Sequence, residues 1–295
     1  MPSLVGSEMC IRDSFMKRIW VHRHVHKTGG TSLRQVFKHL AVAKLVHMNH
    51  GWHCTPILNG STNALQVFEM HTKCVTFNTE VLPVLEAVRA HAQVVLTTFV
   101  REPFQHSISA WLWTGKPSFA SYNRTIDYWL PYNLQSNLLL RGDFDPYFMG
   151  NKEPKGSIYR EFNAAMFEVL LRILSRYTLV CPTTSMEQCT RYVLRRLRLP
   201  QVPVPHIAPA PHRSMGKPVN HTAANAEECV NIDCAELVAE RTQFDGRLYQ
   251  YAKQRVNTFD FQDRLDPATQ RLHVSNISRA NLGTWRRRVA GSRRS

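Results

Sequence analysis

The sequence predicts an α/β protein with a central, mainly parallel sheet flanked by helices. Two β-rich runs carry that prediction, "RIWVHRHV" (18–25) and "QVVLTTFV" (93–100), because each hands over directly to a helical pattern. The second is a β-branched and apolar run of the kind buried on both faces of a parallel sheet. Strands that alternate with helices in this way need crossover connections, and those favour parallel pairing. At 295 residues and 43% hydrophobic, the chain is long enough to bury one substantial core.

The elements follow in order. After "RIWVHRHV", the segment "TSLRQVFKHLAVAKLV" (31–46) spaces Leu33, Val36, Phe37, Leu40 and Leu45 at near-helical period, so the first unit is strand, tight loop, helix. The polar stretch "HMNHGWHCTPILNGSTN" reads as a loop, and "ALQVFEMH" as a strand that ends near His71. Residues 80–92 read as a helix before the strand 93–100, and "EPFQHSISAWLW" restarts a helix with Pro103 in its first turn, where a missing N–H costs nothing. Further helices are expected at 159–175 and 186–198, on either side of a short strand near "YTLVC". "LPQVPVPHIAPAPHRSMGKPVN" holds six prolines and is an extended connection, and "AELVAERTQFDGRLYQYAKQRV" is a closing helix. The expected organisation is a domain over 15–265 and a basic tail over 266–295. Residues 1–14 have no clear period and resemble leader sequence that recurs at the start of transcriptome-derived reading frames.

The formal charge is +15, of which five arginines in the closing "WRRRVAGSRRS" supply a third. The remaining body is still basic, which points to a polyanionic partner such as nucleic acid, a membrane surface or an acidic glycan. No stretch reaches the ~18 apolar residues of a membrane helix, and the first residues lack the order of a secretory signal. Apart from Cys10 the cysteines are Cys54, Cys74, Cys181, Cys189, Cys229 and Cys234, with no C-x-x-C pair among them. Zinc ribbons and thioredoxin-like sites are thereby disfavoured, while disulfides and buried thiols both stay open. Four N-x-S/T sequons, at Asn59, Asn123, Asn220 and Asn276, lean towards an oxidising compartment.

The chemistry is concentrated in "HVHKTGGTSLRQVF" (24–37). A strand that passes through "KTGGTS" into a helix gathers backbone N–H groups and the positive helix end at one point, a ready anion site. Gly29 and Gly30 let the backbone approach a phosphate, Thr28, Thr31 and Ser32 carry hydroxyl donors, and Lys27 adds a full charge. The plainer alternative is an ordinary glycine turn capped by Thr31 or Ser32. This is not a Walker A loop, since His24, Val25 and His26 stand where glycine is needed before the lysine. A second anion site is expected in "TTFVREPFQHSISAW", where Arg101 leaves a strand and Ser109 follows on the next helix. Two such sites imply a ligand phosphorylated at two places.

Together "HVHKTGGTS" and "FVREPFQHSISAW" resemble the 5′-phosphosulfate loop and the 3′-phosphate motif of the Golgi carbohydrate sulfotransferases that use 3′-phosphoadenosine 5′-phosphosulfate (PAPS). The nearest likeness is to the heparan sulfate 6-O-sulfotransferases, and it continues in "PYNLQSNLLLRG" (131–142) and "LYQYAK" (248–253). The resemblance implies the P-loop-like sulfotransferase fold and sulfuryl transfer from PAPS to a hydroxyl of an anionic, heparan-sulfate-like polysaccharide. It also implies a Golgi lumen setting, with the full-length form anchored in the membrane. Lys27, Thr28, Gly29, Gly30, Thr31 and Ser32 would hold the 5′ phosphosulfate, and Arg101 with Ser109 the 3′ phosphate. His106 stands where relatives often carry arginine.

In-line transfer needs a base for the hydroxyl proton and positive charge on the departing phosphate. Lys27 is the candidate for the charge. The resemblance points to a histidine at the end of the strand between the two motifs, which makes His71 the base, with His53 as its rival. His24, three residues before Lys27, is placed to act beside them and to touch the acceptor sugar. Asn133, Gln135 and Asn137 are the candidate sugar-binding amides, although a polar helix start explains them as well. His22, His24 and His26 alternate along one strand face but lack a carboxylate or cysteine partner in the motif, and no metal is expected. Nucleic acid is not the expected partner. The rival readings are a catalytically silent glycan-binding or nucleic-acid-binding protein and a P-loop kinase, which would require ATP and Mg²⁺.

Overall fold

The computed structural model describes residues 17–51, 65–71, 74, 76–113, 132–141, 162–205 and 234–258. Five strands are described: β1 (Lys17–His24), β2 (Val46–Gly51), β3 (Leu65–His71), β4 (Ala92–Val100) and β5 (Leu179–Pro182). They form one sheet in the order β2-β3-β1-β4-β5, and each of the four pairings is parallel. Around it lie helices α1 (Gly30–Val42), α2 (Leu82–Val88), α3 (Pro103–Trp113), α4 (Leu134–Arg141), α5 (Ala164–Ser175), α6 (Met186–Arg196), α7 (Cys234–Arg241) and α8 (Gln243–Thr258). The expected α/β architecture is what the chain adopts, and the sheet is parallel throughout its described strands.

β1 is central because both of its faces are apolar enough to be covered. Ile19 and Val21 join Phe68, Met70, Leu96 and Leu85 in one cluster, while Trp20 on the opposite face meets Phe37 of α1 edge-on at 4.7 Å. Arg23, fully buried in the same strand, gives its guanidinium to the carbonyls of Leu138 and Leu139 at the end of α4 and to Asn78 Oδ1, and stacks on Phe77. A cation at a helix C-terminus meets the negative end of the backbone dipoles, which is how this charge is accommodated without a carboxylate.

Several boundaries differ from the sequence expectation. A strand, β2, lies where the polar run "HMNHG" reads as a loop. Among the described strands it pairs on one side only, with β3, through backbone bonds that need no apolar alternation. The single helix expected over 80–92 is a π-turn (Phe77–Val81) that leads into α2, and the closing helix is divided into α7 and α8 around Thr242. The sequons at Asn59, Asn123, Asn220 and Asn276 lie outside the described residues, as do His53, the 1–14 leader and the 266–295 tail.

The order of strands sets up the site. The chain leaves β1 for β3 and β2 on one side, then returns to β4 and β5 on the other. In open parallel sheets, ligands enter the crevice beyond the carboxyl ends of strands at such a switch. Here that crevice is bounded by the loop after β1, which carries Lys27, and the end of β4, which carries Arg101.

Candidate anion-binding site

After His24 the chain makes a tight turn and enters α1 at Gly30, so the loop read from "KTGGTS" joins a strand to a helix as expected. Gly29 is the N-cap with φ +88°, in the left-handed region, and no side chain caps the helix. The alternative of a turn capped by Thr31 or Ser32 is therefore corrected. The positive φ demands glycine at 29, and close packing against the His24 ring demands it at 30. A Cβ on Gly29 would overlap the Met186 side chain, and one on Gly30 would overlap the His24 ring. Lys27 itself sits at φ 61°, unusual for a residue with a Cβ, so surrounding contacts must hold it there. One of them is visible: Arg101 Nη1 donates to the Lys27 carbonyl at 3.3 Å.

Two partly buried cations meet at this end of the sheet. Burial lowers the Lys27 ammonium to about 8, with the neighbouring Arg101 as the second cause, and burial lowers Arg101 as well. The two helix starts behave differently. At α3, the Glu102 carboxylate accepts from Phe104 N at 3.1 Å and Gln105 N at 2.7 Å, so that end already has its anion. α1 has no such carboxylate or hydroxyl cap. The arrangement of one uncapped helix start and two partly buried cations suits a bound anion, which would raise the Lys27 ammonium back towards its ordinary range.

The remaining loop hydroxyls divide. Thr28, fully buried, donates its hydroxyl to the Val25 carbonyl at 2.7 Å, so the expectation that this hydroxyl reaches a phosphate is corrected. Thr31 is exposed at the helix start and Ser32 is buried one residue later. Ser109 lies on α3, partly exposed, on the helix that Arg101 precedes.

His106 holds the loop in place without contributing charge. It is buried, and its Nε2–H donates to the His26 carbonyl at 2.8 Å, a role that requires that nitrogen to be protonated because a carbonyl only accepts. Burial pushes its imidazolium down to about 3, and Arg101 and Lys27 act in the same direction. Where arginine would carry charge, this ring is neutral.

His24 is enclosed. Its Nδ1 lies 3.1 Å from Glu69 Oε1, while Arg34 of α1 grips the same carboxylate through Nε and Nη2, each at 2.9 Å. Burial alone would raise the Glu69 carboxyl, but His24 and Arg34 hold it well below the usual carboxylate range. Burial also lowers the His24 imidazolium, against the pull of Glu69. With 8% exposure and its ring against Gly30, His24 supports the loop from behind, which corrects the expectation that it touches an acceptor sugar. His71 closes β3 directly opposite His24 in the parallel register, at the same edge of the sheet as the loop.

The three amides of "PYNLQSN" are turned inward, so their assignment as sugar-binding groups is corrected. Asn133 Oδ1 accepts from Phe244 N at 2.7 Å, and Asn137 Nδ2 donates to the Tyr132 and Asn133 carbonyls. Gln135 bonds both main-chain groups of Arg101. All three are under 5% exposed.

Sequence reasoning missed Glu69, Arg34, Met186 and the role of Gln135. Glu69 alone left a trace: it is an acid inside a β-rich run, and a buried carboxylate needs a cationic partner nearby. No group of residues able to hold a metal is found among the described residues. Known family profiles and curated proteins were compared with the chain, and none of them matches it.

Proposed function

We propose that this protein transfers a sulfuryl group from PAPS to a hydroxyl of an anionic, heparan-sulfate-like polysaccharide. The observation that carries the reading is the meeting of two cation-bearing strand ends. Lys27, in the loop that leads to the uncapped start of α1, and Arg101, just past β4, lie side by side, linked through the Lys27 carbonyl. A nucleotide with a 5′ phosphosulfate and a 3′ phosphate carries two anionic groups, one for each of these cations.

In the proposed reaction the acceptor oxygen forms a bond to sulfur as the bond from sulfur to the bridging phosphate oxygen breaks. The leaving group is 3′-phosphoadenosine 5′-phosphate. Lys27 and the first N–H groups of α1 offset the charge that gathers on that oxygen. His71 takes the hydroxyl proton, with His53 as the alternative base; an imidazole near its ordinary range does this at neutral pH. No metal takes part in these steps. The Cys181–Cys189 disulfide is consistent with an oxidising compartment, and so supports a Golgi lumen location for a membrane-anchored full-length form.

The test is calorimetric titration without metal of 3′-phosphoadenosine 5′-phosphate, beside ATP with Mg²⁺, followed by transfer assays on heparan-type chains. Preferential micromolar binding of the bisphosphate, and turnover lost in Lys27→Ala and His71→Ala, is the expected result. Binding without turnover on any anionic glycan would favour a silent glycan-binding protein, and a preference for ATP with Mg²⁺ would favour a kinase.

A further inference from the structure

We propose that Gln135 is the residue that positions Arg101, and through it sets the preference for a 3′-phosphorylated nucleotide; the second half rests on the donor reading above. Arg101 stands one residue beyond β4, where the ladder bonds of the sheet have ended. Both of its main-chain groups are taken by one side chain. Arg101 N donates to Gln135 Oε1 at 2.8 Å, and Gln135 Nε2 donates to the Arg101 carbonyl at 2.8 Å. A primary amide is suited to this because it offers an acceptor and a donor fixed in one plane.

The clamp is itself held. Gln135 is fully buried at the start of α4, and its own N–H donates to Asp245 Oδ2 of α8 at 3.0 Å. Ser136 adds its N–H and hydroxyl to Asp245 Oδ1, at 2.8 and 2.6 Å. In return, Asn133 Oδ1 accepts from Phe244 N in the first turn of α8. The chain of contacts runs from α8 through α4 to the Arg101 backbone, and then through the guanidinium to the Lys27 carbonyl. An apolar side chain of equal length would fill the space but leave two main-chain groups of Arg101 unmet. The backbone would then relax towards solvent and take the guanidinium with it.

The experiment compares wild type, Gln135→Met, Gln135→Glu, Arg101→Ala and the Gln135→Met/Arg101→Ala double variant. Each is titrated with 3′-phosphoadenosine 5′-phosphate and with adenosine 5′-phosphate. Exchange of the Arg101 amide hydrogen is followed alongside. Gln135→Met is expected to weaken the bisphosphate by roughly tenfold to a hundredfold, to leave the monophosphate within about twofold, and to add little on top of Arg101→Ala. Gln135→Glu keeps the acceptor for Arg101 N, so it is expected to fall between wild type and Gln135→Met, and it serves if Gln135→Met does not fold. Equal loss for both nucleotides, no loss, or full additivity with Arg101→Ala would overturn the proposal. If wild type does not distinguish the two nucleotides, the donor reading fails by itself. The clamp is then judged by exchange: a faster Arg101 amide at unchanged Tm supports it, and unchanged protection refutes it.

Discussion

Lys27 combines three conditions that rarely coincide in one side chain: positive φ, partial burial and a cationic neighbour. Each is unfavourable alone, and a bound dianion relieves the last two at once. This leads to a pH dependence whose sign follows from the charge that binding needs. The folded, unliganded Lys27 titrates at about 8 and must be protonated to attract phosphate. Affinity for the bisphosphate is therefore expected to be constant from pH 7 to about 8 and to weaken above it by up to tenfold per pH unit. The nucleotide's phosphates have a second pKa of about 6, so their charge does not change over that range. Calorimetry from pH 7 to 9.5 measures the effect, and Lys27→Arg should move the decline upwards. A flat profile in wild type would mean that Lys27 does not face the ligand.

Among the elements, the β5–α6 corner has an unexpected part. Met186, the first residue of α6, packs against Gly29 of the anion loop, and the Cys181–Cys189 disulfide spans the turn that presents it. Closing so short a loop stabilises the folded chain by about 2.5 kcal/mol in the chain-entropy account. Cys181→Ala with Cys189→Ala is expected to lower Tm by roughly 5–10 °C and to weaken bisphosphate binding, because the support behind Gly29 loosens. Thermal melts and titration of the variant check both parts. Strand β2 and the break between α7 and α8 show the limit of pattern reading at this scale. Backbone pairing with β3 and the turn at Thr242 leave little trace in hydrophobic period.

For the whole molecule, buried titratable groups set the response to acid. Burial holds His22 and His106 neutral down to about 3 and lowers His24, so the unfolded chain binds protons that the folded chain refuses. Their contribution to stability is complete above pH 6.5 and is lost as pH falls towards 3. Burial raises Asp245 to about 6, which works in the other direction: its contribution is present below the usual aspartate pKa and is lost as pH rises through 6. Between about pH 6 and 4 the two effects partly cancel. From about pH 4.5 downward Glu69, held low by His24 and Arg34, adds to the loss, and below about 4 Asp245 no longer offsets the histidines. Stability is expected to fall by about 1.4 kcal/mol per pH unit for each net proton taken up, less steeply between about pH 6 and 4, where Asp245 offsets one of the histidines, than below 4. Urea unfolding across pH 3–7 checks this, and Asp245→Asn should steepen the upper part of the curve.

The sequence by itself determined the parallel α/β architecture, the strand–loop–helix that carries Lys27 and the strand end that carries Arg101. Those features are local: β-branched runs, helical period and glycines at a forced turn act within a dozen residues. Only the tertiary structure decided what surrounds them. It put Lys27 and Arg101 together across two strands separated by a whole crossover, gave the Thr28 hydroxyl to Val25, enclosed His24 with Glu69 and Arg34, and turned Gln135 onto the Arg101 backbone. An amide, a carboxylate or a hydroxyl looks the same in sequence whether it meets solvent or another part of the chain. Which partner it finds depends on contacts between residues far apart in the chain, and burial then makes that partner obligatory.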